Sequence, residues 1–186
     1  MRLGEADIDR VQNILGFWWD SGPEKWFARS DAFDEDLRRR FLEDVEAAAC
    51  GALDHWIEAP DAALALILLL DQFPRNLYRQ SAQAFASDAK ALAMAEEALE
   101  RGYPQRFPKQ GRSFFYMPFM HAEDLQAQLR CVELFRAEDL KENHYYALIH
   151  MEAILRFSHF PHRNAVLGRE TTPQEAAYLA SGGFSA

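Results

Sequence analysis

The chain has 186 residues, 49% of them hydrophobic, including 14 Phe, 6 Tyr and 4 Trp. That is enough apolar material for one domain (1–186) with a full core, and it excludes a disordered chain. The formal net charge of −9 leaves no uniformly basic face for tracking phosphates, which argues against nucleic acid as a partner. The two cysteines, Cys50 and Cys131, form no C-x-x-C and read as buried or half-buried thiols of a reducing compartment, the cytoplasm.

The N-terminal "MRLGEADIDR" carries acids where a secretory signal needs an apolar stretch. Ile8, Val11, Leu15 and Trp18 then step at helical spacing and predict a first helix over about 5–19. Gly22 and Pro23 break it, and the aromatic residues of "FWWDSGPEKWF" predict a staple of rings around the turn. Phe33, Leu37, Phe41, Val45, Ala49, Ala52 and Trp56 predict one long second helix, with Asp34, Arg38, Arg39 and Glu46 on its wet face. Residues 62–70 are apolar all round, as in a central buried helix, and are far too few for the ~20 residues of a membrane span. Pro74 should end that helix, because it lacks an N–H and clashes with the preceding turn.

Ser87 is the expected N-cap of a helix over about 88–101, closed by Gly102. Residues 103–117, with two prolines and a glycine, read as an ordered loop. Pro118 then suits the first turn of "PFMHAEDLQAQLRCVELF", with Phe119, Ala122, Leu129, Val132 and Phe135 as its buried stripe. The next helix, over 144–157, has Tyr145, Leu148, Glu152 and Leu155 on one face, with Ile149 beside them. Thr172, Pro173 and Glu175 spell a capping box for a short last helix. No window alternates as a strand does, so the expected fold is all-α: a bundle of about seven largely antiparallel helices.

The polar residues collect in three segments. In "LLLDQFPRNLYR", Asp71 and Arg75 are four apart and can pair on a helix, Arg75 suits a helix C-terminus, and Asn76 suits a turn. In "RFSHFPHRNAVLGR", Arg156, His159, His162, Arg163 and Arg169 exceed what one helix end needs. Should the two segments converge, Arg75 and Arg163, with Arg169, could hold a small anionic molecule, a phosphate or carboxylate, by charge-assisted hydrogen bonds. Acids such as Asp71 could equally neutralise them in an internal ion network. In "MPFMHAEDLQAQ", His121, Asp124 and Gln128 share a helix face, Glu123 sits at a first turn, and His121 with Asp124 could handle a proton.

A metal site is not expected. His159 and His162 lack the i,i+4 register of zinc helices, and His144 and His150 point to different faces. G-x-S-x-G, Walker and dinucleotide-binding motifs are absent, and no cofactor is implied.

"FWW", "KWF", "DAFD", "LLLDQFPRNLYR", "AFASD", "FYMPFMHAEDLQAQ" and "RFSHFPHRNAVLGRETTPQE", in this order from about Ile14 to Tyr178, resemble the largely bacterial domain-of-unknown-function family 924. The resemblance implies an all-α fold of the tetratricopeptide-like superfamily and brings no activity with it. It marks Asp71, Arg75, Asn76, His121, Glu123, Asp124, His150, His162, Arg163 and Asn164 as positions in family-like blocks. Where the family pattern has Gly-Arg before "FPHRN", this chain has Ser158-His159. Two expectations follow: a small-molecule protein with His121, Asp124 and His162 as proton-handling groups, or a helical-repeat scaffold that binds a peptide or protein partner.

Overall fold

The computed structural model describes residues 3–185. Among these there is no strand. The α-helices are α1 (Glu5–Ser21), α2 (Pro23–Trp26), α3 (Asp31–Ala49), α4 (Pro60–Ile67), α5 (Phe73–Leu77), α6 (Asp88–Glu100), α7 (Lys109–His121), α8 (Leu125–Ala137), α9 (Lys141–Phe157) and α10 (Pro173–Ala180). Short 3-10 turns fill several of the connections. None of the described helices is long and apolar enough to cross a membrane.

Helix α4 is the axis of the fold. Every residue from 62 to 70 is fully buried, and α4 packs against α1, α6 and α7. Each large aliphatic side chain so enclosed contributes about 1.5–3 kcal/mol of burial. The ring staple forms as expected: Trp18 stacks on Trp26 with centroids 5.5 Å apart, and Trp26 Nε1–H donates to the Trp18 carbonyl. Phe27, by contrast, points into solvent.

The sequence expectation fails at four places. First, α3 ends at Ala49, before Ala52 and Trp56. Gly51 turns the chain at φ 94°, and Trp56 reaches the core from a separate 3-10 turn over Asp54–Glu58. Ala49, Ala52 and Cys50 are left exposed.

Second, Pro74 does not end the central helix. The turn Leu68–Gln72 widens to π geometry, with Phe73 N–H donating to Leu68 C=O, and the helix continues through Pro74 to Leu77. A π-turn absorbs the proline by changing the hydrogen-bond register. The carbonyl of Leu70, four residues before the proline, accepts the Ser87 hydroxyl at 2.6 Å instead. Ser87 therefore makes no side-chain cap on α6.

Third, 109–121 is helix, not loop. Pro118 lies inside α7, the chain breaks at 122–124, and α8 starts afresh. Gln128 Nε2–H groups hold the break by donating to the carbonyls of Met120 and Ala122 at 2.7 and 2.8 Å. Leu129 is consequently turned outward.

Fourth, the apolar face of α9 is reversed. Ala147, His150, Ala153 and Ile154 are buried, whereas Tyr145, Leu148 and Leu155 are exposed. The small Ala residues let α9 lie close against α8, and the longer side chains project away.

Candidate functional site

The π-turn decides the site. It carries Asp71 into a fully buried position, where its Oδ1 lies 2.7 Å from His121 Nδ1 at the end of α7. Gln72 Nε2–H donates to the other oxygen at 2.6 Å, and Arg75 Nη1 stands 3.4 Å from Oδ1. Burial alone would raise the Asp71 carboxyl, but the charges of His121 and Arg75 and these hydrogen bonds outweigh it and bring it down to about 2. Asp71 is an anion at neutral pH.

Burial, then the neighbouring Arg75 charge, pushes His121 below its ordinary value against the pull of Asp71. A neutral imidazole with a carboxylate on Nδ1 keeps its proton there and leaves the Nε2 lone pair free. His121 Nε2 has no hydrogen-bond partner among the described residues. The side chain, 15% exposed, lines an open cleft of about 380 Å³ together with Phe85, Asp88, Ala89, Glu123 and Arg163.

The two proline-marked segments do converge. Arg75 Nη2 lies 3.0 and 3.1 Å from the two oxygens of Asp88, and Arg163 Nη1 lies 3.0 Å from Asp88 Oδ2. Arg75 Nη1–H also donates to the Asp71 carbonyl, and Arg163 Nη2–H to the His121 carbonyl at 3.1 Å. The Arg163 guanidinium sits 4.3 Å from the Phe85 ring centre and 4.6 Å from that of Phe160. The expectation of two arginines left free for an anion is thereby corrected: both already grip an acid of the chain itself, so two arginines face two aspartates.

The remaining candidates divide. Glu123 accepts both Arg169 Nη groups at 2.9 Å and the Phe160 N–H at 2.9 Å, which ties the loop after α9 to the α7–α8 break. Burial would raise its carboxyl; Arg169 and the Phe160 amide hold it below its ordinary value. Asp124 is the N-cap of α8, accepting Ala127 N–H at 2.8 Å, and it shares no helix face with His121. Its expected role in orienting that histidine falls to Asp71.

Asn76 leaves the site altogether: Nδ2–H donates to Asp34 on α3 at 2.9 Å. Asn164 is fully buried, its main-chain carbonyl accepts Arg169 N–H, and its side-chain amide lies near Glu175 without a hydrogen bond to it.

His150 and His162 form an adjoining layer. The His150 ring centre is 6.2 Å from that of His121 and 3.9 Å from that of Phe184, and its Nδ1–H donates to the Tyr146 carbonyl. Burial, then the nearby His121, takes it down to about 3. His162 packs 5.0 Å from Phe184, and burial and the Arg163 charge bring it to about 4. Neither ring lines the cleft. No group of three or more His, Cys, Asp or Glu among the described residues is placed to hold a metal ion.

Sequence reading missed Asp88, the acid that joins the two arginines. It follows Ser87 at a helix start, where an acid is ordinary, and so gave no separate signal. A second cleft, of about 360 Å³, shares Ala86 with the first and is lined by Glu46, Tyr78 and Lys90 among others. It contains none of the polar candidates.

No curated protein matches the chain. A solved structure titled as that of a protein of unknown function, ATU0120 from Agrobacterium tumefaciens, is similar at 44% identity and a TM-score of 0.90, over 94% of this chain and 99% of that one. Residues 14–183 match the family described as "Bacterial protein of unknown function (DUF924)". The match spans most of the sequence, including every segment that builds the His121 cleft, and the chain belongs to that family.

Proposed function

We propose that this protein binds a small polar molecule in the cleft over His121 and exchanges a proton with it through that imidazole. One observation carries the reading: Nδ1 of His121 is committed to a fully buried carboxylate, and the other ring nitrogen has no partner on the side chain that lines the cleft. A base must be fixed in tautomer and direction before it can act, and Asp71 does both. The arginine–aspartate cluster beside it keeps the imidazole from drifting, since Arg75 and Arg163 bind the main-chain carbonyls of Asp71 and His121.

A thermal-shift screen of small metabolites tests this reading. Hits should be lost in Ala89→Trp, which places a bulky ring on the exposed cleft wall, and weakened in His121→Gln. Hits that survive both changes would refute it.

A second reading has one observation in its favour. Tyr145, Leu148 and Leu155 of α9 are 61%, 40% and 58% exposed and share a helix face. In this reading the chain is a helical scaffold whose α9 face takes a protein or peptide partner, and the polar cluster locks helix ends together. Leu148→Asp would then abolish partner binding while His121→Gln leaves it intact.

A further inference from the structure

The geometry points to Asp88 as the internal occupant of a carboxylate seat: Arg75 and Arg163 form a two-guanidinium subsite for the carboxylate of a small organic acid, which displaces Asp88 on binding. This rests on the reading of the His121 cleft given above and names the class of molecule that the cleft takes.

The seat does not depend on Asp88 for its shape. Arg75 is held through Nη1 by the Asp71 carbonyl, and Arg163 through Nη2 by the His121 carbonyl. Phe85 and Phe160 clasp the Arg163 guanidinium, and Phe85 also lies 5.8 Å from that of Arg75. Remove the Asp88 carboxylate, and both forks keep their anchors.

Asp88, in contrast, is held to the seat by the seat alone. Among the described residues its carboxylate accepts hydrogen bonds from Arg75 and Arg163 and from no other group. It is the first residue of α6, just after the 3-10 turn Ala82–Phe85, and it lines the open cleft. A change of side-chain rotamer there carries the carboxylate into solvent without breaking a helix-internal hydrogen bond.

Charge selects the ligand. With Asp71 and Asp88 opposite Arg75 and Arg163, the cluster is balanced. One carboxylate replacing another keeps that balance, and planar guanidinium forks match a carboxylate's two oxygens. A phosphate dianion would bring an extra negative charge to the seat, and Arg169, the third arginine expected to help hold an anion, is committed to Glu123. An uncompensated charge at a largely buried site is costly. The seat therefore favours carboxylates over phosphate.

The test is calorimetric titration and thermal shift of the full chain with small mono- and dicarboxylic acids and with inorganic phosphate. At least one carboxylate should raise the Tm of the wild type. It should bind Asp88→Asn about tenfold or more tightly, since the charge-assisted hydrogen bonds from Arg75 and Arg163 to the carboxylate no longer have to be broken first. In Asp88→Gly, acetate or formate should raise Tm more than in the wild type by refilling the seat, a readout that survives a lowered starting stability. Carboxylates that move neither the wild type nor the Asp88 variants would overturn the inference, as would phosphate binding alone. Ligands lost in Ala89→Trp that carry no carboxylate would leave the cleft reading standing and sink this one. Carboxylates that bind Ala89→Trp as well as wild type would place their site elsewhere and sink it too.

Discussion

Asp71 and His121 stand fifty residues apart in sequence and meet at 2.7 Å, one presented by a π-turn and the other by the last residue of α7. Because Asp71 is fully buried, deleting its charge weakens the anchor of His121 Nδ1–H, while Arg75 keeps its bidentate grip on Asp88. Asp71→Asn should cost about 1.5–3 kcal/mol, the usual worth of a hydrogen bond to a charged group. Urea denaturation measures it; a loss below about 1 kcal/mol, typical of an exposed pair, would contradict the buried dyad.

Acid should unfold the protein earlier than carboxylate protonation alone predicts. A histidine in the unfolded chain takes up its proton near pH 6.5, whereas burial keeps the folded His150 and His162 neutral down to about 3 and 4. Between those values the unfolded state binds more protons, so stability is complete above about pH 6.5 and is lost as pH falls. The slope approaches about 1.4 kcal/mol per pH unit for each histidine. Urea midpoints at pH 8, 6.5, 5 and 4 measure the fall, and His162→Gln should flatten it. A flat profile down to pH 4.5 would contradict the burial of these rings.

Ser158 should be improvable. It closes α9 at φ 64°, a left-handed conformation in which a side chain costs about 1–2 kcal/mol. Part of the gain from glycine is returned as freedom of the unfolded chain, so Ser158→Gly should stabilise by about 0.5–1 kcal/mol. His159, next to it, places Nε2 2.6 Å from Glu175, the glutamate of the α10 capping box. His159→Arg should therefore be tolerated. A destabilising Ser158→Gly would mean that the serine makes a contact stronger than its strain.

Ser87 separates a helix cap from a carbonyl clamp. Its hydroxyl serves the Leu70 carbonyl beside Pro74, so Ser87→Ala should cost about 1–3 kcal/mol, the price of an unsatisfied buried acceptor. Aspartate is a good N-cap but cannot donate to a carbonyl. Ser87→Asp should thus be at least as damaging as alanine, as thermal melts would register; rescue by aspartate would restore the capping role.

Periodicity and composition revealed the all-helical class, α1, the buried centre at 62–70, Gly102 at φ 70° and the Thr172–Glu175 capping box, because each depends on local chemistry. The failures share a different cause. Pro74 and Pro118 both read as helix boundaries from backbone sterics, yet both lie within helices: Ser87 satisfies the Leu70 carbonyl that Pro74 leaves open, and Gln128 holds the true end of α7 beyond Pro118.

The same logic governs the site. Arg75, Arg163, His121 and Asp71 were legible as a charged set inside apolar segments. Their pairing through Asp88 was not, since it requires three segments to meet in space. Likewise Asp124 looked like a partner for His121 as long as 118–135 was read as one helix; the break at 122–124 turns it into a cap.

The central claim is that His121, on the wall of the cleft, waits as a neutral base, protonated on Nδ1 toward Asp71 and unprotonated on an Nε2 that has no partner among the described residues. Nitrogen-15 chemical shifts of the imidazole in the intact protein at pH 7 report this directly. An Nδ1–H tautomer that is neutral at pH 7 and gains its second proton below the ordinary histidine range is the predicted result. An Nε2–H tautomer, or an imidazolium already formed at pH 7, would contradict it.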